Sequence, residues 1–137
     1  MTTPAPSLGY AILFVKDVEA SLTFYEKAFG LSRRFFHDEQ GKAYGELETG
    51  AARLAFCSLP LVQEQLNQPE IQLASPTKPP LGFEIALLTS DVPALFARAV
   101  KAGATVVRDP AAKPWGQTVA YLRDKDGHLV ELATPMP

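Results

Sequence analysis

Hydrophobic and polar positions run through the same order of signals twice along this chain. An apolar run, Leu8 to Val15, ends at Asp17-Val18. A second, Leu81 to Thr89, ends at Asp91-Val92. An aspartate there can accept hydrogen bonds from the free N–H groups of a first helical turn. Apolar residues then recur at three- and four-residue spacing: Val18, Leu22, Tyr25 and Phe29, and later Val92, Leu95, Phe96, Ala99 and Val100. This is the period of a helix with one buried face. Gly30 and Gly103 stop the two helices. Three strand-like runs follow each helix: Ser32 to His37, Ala43 to Glu48 and Arg53 to Ser58, then Thr105 to Arg108, Thr118 to Arg123 and Leu129 to Ala133. Gly41, Thr49-Gly50, Lys113 to Gly116 and Asp124 to Gly127 supply the turns between them. Each half therefore predicts β-α-β-β-β. On the first strand, Tyr10, Ile12 and Phe14 share one face, and Ala11, Leu13 and Val15 take the face toward the helix.

Five prolines crowd residues 59–80, together with Gln63, Gln65, Asn67, Gln68 and Ser75. Proline has no backbone donor, so this stretch cannot cross a sheet interior. It reads as a linker with a short helix at Leu61 to Gln68. The expected organisation is a first module over 8–58, a linker over 59–80 and a second module over 81–134. The two modules form one α+β structural domain.

Composition changes this picture only by exclusion. With 137 residues and a net charge of −2, the chain lacks the basic excess of a nucleic-acid binder. No apolar stretch approaches the roughly 20 residues that span a bilayer. The opening residues, Met1 to Pro6, show no secretory signal, so a cytoplasmic protein is expected. The single cysteine, Cys57, excludes an internal disulfide framework and, inside an apolar strand, is expected to be an inert thiol. There is no phosphate-binding glycine loop, no Gly-x-Ser-x-Gly elbow and no Cys-x-x-Cys.

Three segments resemble the vicinal oxygen chelate superfamily of glyoxalases, ring-cleaving dioxygenases, fosfomycin-resistance enzymes and bleomycin-resistance proteins. They are Phe14 to Val18 running into Phe24-Tyr25 and Phe29-Gly30-Leu31, Asp91-Val92 running into Ala102-Gly103-Ala104, and Tyr121 to Leu132. In the last, Lys125 stands where the family usually has proline. The resemblance implies two tandem β-α-β-β-β modules whose curved mixed sheets surround a cleft, often completed by a second chain. In metal-using members it also implies one divalent ion, held by residues from the first and last strand of each module. Those positions here are Tyr10, Leu54 or Ala55 depending on register, Glu84 and Glu131. Neither Leu54 nor Ala55 can ligate, and no histidine falls on any of the four. His37 ends a strand and His128 follows a turn glycine. Loss of the imidazoles argues against a family-type site. If an ion is bound, Glu84 and Glu131 are its expected ligands, with Mg²⁺ or Mn²⁺ favoured by oxygen donors. Glu46 and Glu48 add acidity away from the ligand positions.

Glu84 interrupts an otherwise apolar strand and needs a partner or a wet surface. If it approaches Glu131 without a metal, repulsion should raise one of the two pKa values and create an acid–base pair. Lys113-Pro114-Trp115-Gly116-Gln117 carries the only tryptophan, and a similar Pro-Trp-Gly stretch occurs in bleomycin-resistance proteins. An exposed indole can stack on planar heterocycles and attract cations. Tyr10, Trp115, Tyr121 and Arg123 are the expected ligand contacts. The leading expectation is a metal-independent, cofactor-free homodimer that binds a planar or cationic small molecule. The alternative is a glyoxalase-type lyase or isomerase, or another divalent-metal enzyme, working through Glu84 and Glu131.

Overall fold

The computed structural model describes residues 2–137. The element order is β1 (Tyr10–Val15), α1 (Val18–Phe29), β2 (Arg33–Glu39), β3 (Lys42–Leu47), β4 (Arg53–Ser58), α2 (Leu59–Leu66), β5 (Glu84–Leu88), α3 (Val92–Lys101), β6 (Thr105–Ala112), β7 (Thr118–Arg123) and β8 (Leu129–Ala133). The predicted β-α-β-β-β order is present twice. Both sheets have four strands and the same topology, β1-β4-β3-β2 and β5-β8-β7-β6. In each, the first strand runs parallel to the last and the other pairings are antiparallel. The fold is α+β with two mixed sheets. No helix among the described residues is long and apolar enough to cross a membrane.

The helix starts are capped alike. Asp17 Oδ1 accepts from the Ala20 N–H at 3.0 Å, and Asp91 Oδ1 from the Ala94 N–H at 3.0 Å. Two elements differ from the sequence reading. Helix α2 begins at Leu59 rather than Leu61, because Pro60 suits a first turn. It ends at Asn67, which takes a left-handed conformation with φ 49°. Strand β6 runs on to Ala112 through Pro110, where the register slips. β6 is an edge strand, so the missing proline donor is tolerated.

The chain divides into two packing units. One contains residues up to Leu22 together with Leu31–Ile71. The other contains Thr23–Gly30 together with Gln72–Pro137. In the first unit Leu13, Val15, Leu47, Leu54 and Phe56 are buried with Val18 and Leu22 of α1. Leu22 reaches so close to Gly45 of β3 that an added Cβ there would lie 2.5 Å from Leu22 Cδ1. In the second unit Ala120, Leu122, Val130 and Leu132 are buried with Val92 and Ala99 of α3. The alternate side chains of each sheet make an open face, with Tyr10 and Ile12 exposed in the first unit and Glu84 and Leu88 in the second. The period-two reading of β1 holds.

The second unit also takes in the C-terminal half of α1. Phe24, Tyr25 and Phe29 pack edge to face or tilted on one another. Arg98 of α3 donates from Nε to the Lys27 carbonyl at 2.9 Å and from Nη2 to the Glu26 carbonyl at 3.4 Å. A cation there complements the negative end of the helix dipole.

Candidate functional site

On the open face of the second sheet, three predicted residues meet. Register places Glu131 of β8 between Ala86 of β5 and Tyr121 of β7. Glu84 lies two residues before Ala86, so it is the diagonal neighbour of Glu131 on the same face. The Ala86 methyl leaves space for the two carboxyl groups to reach each other. Hydrogen bonding toward Glu131, then partial burial and the charge of Glu131, push the Glu84 carboxyl up to about 7. The Tyr121 hydroxyl donates to Glu131 Oε1 at 3.1 Å. Burial, then this bond and the carboxylate charge, raise the Tyr121 phenol in turn. Two acids brought together without a countercharge disfavour double ionisation, which is the direction of the Glu84 shift.

The corresponding face of the first sheet is built differently. Counting back from the helix caps aligns Tyr10 with Glu84, and the pairing of Ile12 with Ala55 matches that of Ala86 with Glu131. Ala55, not Leu54, therefore stands where Glu131 stands. A carboxylate does lie beside it: Glu46 of β3 is the cross-strand partner of Ala55. It is compensated. Arg34 Nε lies 3.3 Å from Glu46 Oε1, and the Tyr44 hydroxyl donates to Glu46 Oε2 at 2.7 Å. Glu48 is shared by Arg34 and Arg53, each at 3.2 Å. Two arginines and two glutamates cancel. Tyr10, Arg34, Phe35, Glu46 and Glu48 line a shallow hollow there.

Trp115 is 55% exposed. Its indole Nε1 donates to Gln117 Oε1 at 2.7 Å, and Gln117 Nε2 donates to the Thr134 carbonyl at 2.7 Å. The donor is thus spent on holding the ring, whose face stays open. Trp115 precedes β7 by three residues and lies six residues before Tyr121, about 20 Å if the chain between them is extended. Arg123, expected as a ligand contact, acts as a brace. Its guanidinium donates to the Gly127 carbonyl at 3.0 and 2.8 Å and to the Ser75 carbonyl at 2.8 Å. Gly127 has φ +98°, and a Cβ there would sit 2.5 Å from the Ser75 carbonyl carbon. Only glycine lets the linker come this close to the turn.

A further group was not singled out from the sequence. Asp124, Asp126 and His128 bring potential ligand atoms within 4.8 Å of one another. Asp124 is already saturated: Oδ1 accepts from the Asp126 and His128 N–H groups at 2.9 Å each. Oδ2 accepts from the Tyr25 hydroxyl at 2.7 Å and lies 3.0 Å from His128 Nδ1. Although burial opposes it, these bonds hold the Asp124 carboxyl below the usual range. The group is a turn locked from within. The available signal was the Asp-x-Asp-Gly-His spacing, which reads equally well as a simple turn. Cys57 is buried and burial pushes its thiol up, which leaves it unreactive. His37 is exposed beside Glu39.

A doubled β-α-β-β-β unit with chemistry on its open sheet faces is the architecture of one superfamily. The chain belongs to the Glyoxalase/Bleomycin resistance protein/Dioxygenase superfamily, whose family model matches residues 7–132. It is 29% identical over 135 residues to the uncharacterized protein YwbC of Bacillus subtilis strain 168, a match covering 93% of this chain and 96% of YwbC. Among solved structures it is similar to a glyoxalase-related enzyme from Fulvimarina pelagi, with 26% identity and a TM-score of 0.78 over 96% of this chain and 89% of that one. TioX from Micromonospora sp. ML1 shares the fold at 23% identity, with a TM-score of 0.68 over 94% of this chain and 98% of that one.

The four-ligand metal arrangement of the superfamily is not matched by these residues. Its positions hold Tyr10, Ala55, Glu84 and Glu131: one phenol, one methyl and two carboxyl groups, with no imidazole.

Proposed function

We propose that this protein binds a planar organic cation on the open face of its second sheet, without a metal ion. The observation that carries the reading is the Glu84–Glu131 pair: two carboxyl residues that are diagonal neighbours on one open sheet face, with no ion pair to either among the described residues. A cation satisfies such a pair better than water does. Trp115 adds a rigid, open aromatic face, which attracts a delocalised cation by stacking and by its quadrupole. The donor set offers too few ligands for the superfamily's metal chemistry, so binding itself is the activity. We further assign a homodimer. Leu88 on edge strand β5 and Val106 and Val107 on edge strand β6 are exposed, and a second chain would cover them. Light scattering on the purified chain checks this.

Proflavine, a planar monocation, tests the binding reading. Trp115 is the only tryptophan, so its emission reports the titration. We expect saturable quenching unaffected by EDTA. Glu131→Gln should weaken binding by about tenfold, the loss of one charged contact. Trp115→Ala, followed by proflavine fluorescence, should weaken it about threefold to thirtyfold. Equal affinity in wild type and both variants would refute the site.

A second reading rests on the same pair. A carboxyl near 7 is poised to give and take protons at neutral pH, as a lyase or isomerase requires. The likeness to the Fulvimarina pelagi enzyme supports it. In that case Glu131→Gln abolishes turnover of a glyoxalase-type substrate while the thermal melt stays unchanged.

A further inference from the structure

Glu131 has two diagonal neighbours of opposite charge on its own face. Register sets Tyr121 of β7 opposite Glu131, Arg123 opposite Leu129, and Leu129 opposite Glu84 of β5. Side chains paired across strands, and those two apart along one strand, rise from the same face. Glu84 and Arg123 therefore flank Glu131 from the strands on either side, each within reach of a long side chain. On the first sheet an arginine in comparable reach, Arg34, lies 3.3 Å from Glu46. On the second, the guanidinium of Arg123 turns the other way. Its Nε donates to the Gly127 carbonyl at 3.0 Å, and Nη2 donates to the same oxygen and to the Ser75 carbonyl at 2.8 Å each. The Ser75 carbonyl is fixed by a turn of its own: the Lys78 N–H donates to it at 3.2 Å, and the Thr77 N–H donates to Ser75 Oγ at 3.3 Å. Gly127 permits the approach, since a Cβ there would lie 2.5 Å from the Ser75 carbonyl carbon and 2.7 Å from the Pro76 nitrogen. Charge-assisted bonds to two fixed carbonyls outweigh one ion pair across a wet sheet face. Arg108 of β6 lies in register with Tyr121, one strand further from Glu131 than Arg123.

We propose that the linker turn at Ser75 withholds Arg123 from Glu131 and thereby sets the charge that the open face of the second sheet accepts. With the guanidinium held on the carbonyls of Gly127 and Ser75, Glu84 and Glu131 stay uncompensated and the face takes cations. Released, Arg123 pairs with Glu131 and the face refuses them. This rests on the binding reading above and adds what selects the ligand's charge. Arg123 is then a positioning residue that touches no ligand. The linker acts on the site through a backbone carbonyl rather than a side chain.

Two replacements of Arg123 in the full chain separate this role from that of a plain brace. Lysine keeps the charge but lacks the planar fork that spans two carbonyls. Arg123→Lys should turn its ammonium to Glu131 and weaken proflavine binding about tenfold, the loss of one charged contact. Arg123→Gln carries no charge and should bind about tenfold more tightly than Arg123→Lys. Equal affinities, or weaker binding by Arg123→Gln, would overturn the proposal. Gly127→Ala displaces the linker from the other side. It should weaken binding, and adding Arg123→Gln to it should restore the affinity; no restoration would overturn the proposal. The Arg123 variants leave the Gly127 turn intact and decide the question where Gly127→Ala fails to fold. A ligand-free crystal structure of Arg123→Lys should place Nζ within about 4 Å of a Glu131 oxygen. Nζ seated instead on the carbonyls of Gly127 and Ser75 would overturn the proposal and leave the binding reading standing. Absence of proflavine binding in wild type, with that lysine seated on Glu131, would overturn the binding reading alone.

Discussion

The two sheets share strand order and pairing register, yet their open faces handle charge in opposite ways. In the first, the carboxylate stands on β3, as Glu46, within reach of Arg34 on the adjoining strand. In the second it stands on β8, as Glu131, within reach of Glu84. The displacement is one strand. It leaves a self-neutralised surface on one sheet and a carboxyl pair on the other. The closing turns differ too. The first module ties its β3–β4 turn with a hydroxyl: Thr49 Oγ1 accepts from the Leu54 N–H at 2.9 Å and donates to the Ala52 carbonyl at 2.9 Å. The second ties its β7–β8 turn with the buried Asp124 carboxylate. A duplicated fold thus keeps its backbone plan while the side chains at equivalent places take up different tasks.

The turns offer the largest contrast. Asp124→Ala should cost about 3 kcal/mol in urea unfolding, because it orphans several buried donors, whereas Thr49→Ala should cost about 1 kcal/mol. Equal costs would erase the distinction. The Asp124 carboxyl is held low in the fold, so its contribution is present above the ordinary aspartate value of 3.8 and fades as pH falls through the lower folded value. Asp124→Asn should flatten that acid limb of the stability curve.

The faces can be made alike. Replacing both Arg34 and Arg53 by Gln leaves Glu46 and Glu48 uncompensated, and the proflavine stoichiometry should rise from one to two per chain. If it stays at one, charge alone does not define the site. The smallest effect lies in the pH profile. Glu84 titrates higher in the fold than in the unfolded chain, so the fold binds the extra proton and loses stability as pH rises from about 4.5 to about 7. The loss should stay below about 1 kcal/mol, since water screens this exposed pair. Glu84→Gln should remove the slope.

The repeated order of elements, the caps at Asp17 and Asp91, and the face assignments along β1 were legible because they depend on local periodicity. The neighbouring places of Glu84 and Glu131 followed only from the family resemblance, which set the first and last strand of the module side by side. Arg34's compensation of Glu46 was not. It depends on the β2–β3 register, which slips between Arg33 and Phe35. The bracing bonds of Arg123 were not legible for a related reason: its partners are carbonyls of Gly127 and Ser75, and sequence carries no mark of which carbonyl lies within reach. Pro110 concealed the length of β6, because its cost depends on whether the strand lies at an edge.

The bond from Tyr25 to Asp124 joins residues 99 apart in the chain. On a ribosome adding about 5–20 residues per second, Tyr25 emerges about 5–20 s before its acceptor exists. Throughout that interval the aromatic ridge of Phe24, Tyr25 and Phe29 has no second module to lie against. The first half of the protein is therefore born with an unsatisfied, adhesive helix end. It is the last strands, rather than the first, that complete the surroundings of this helix end.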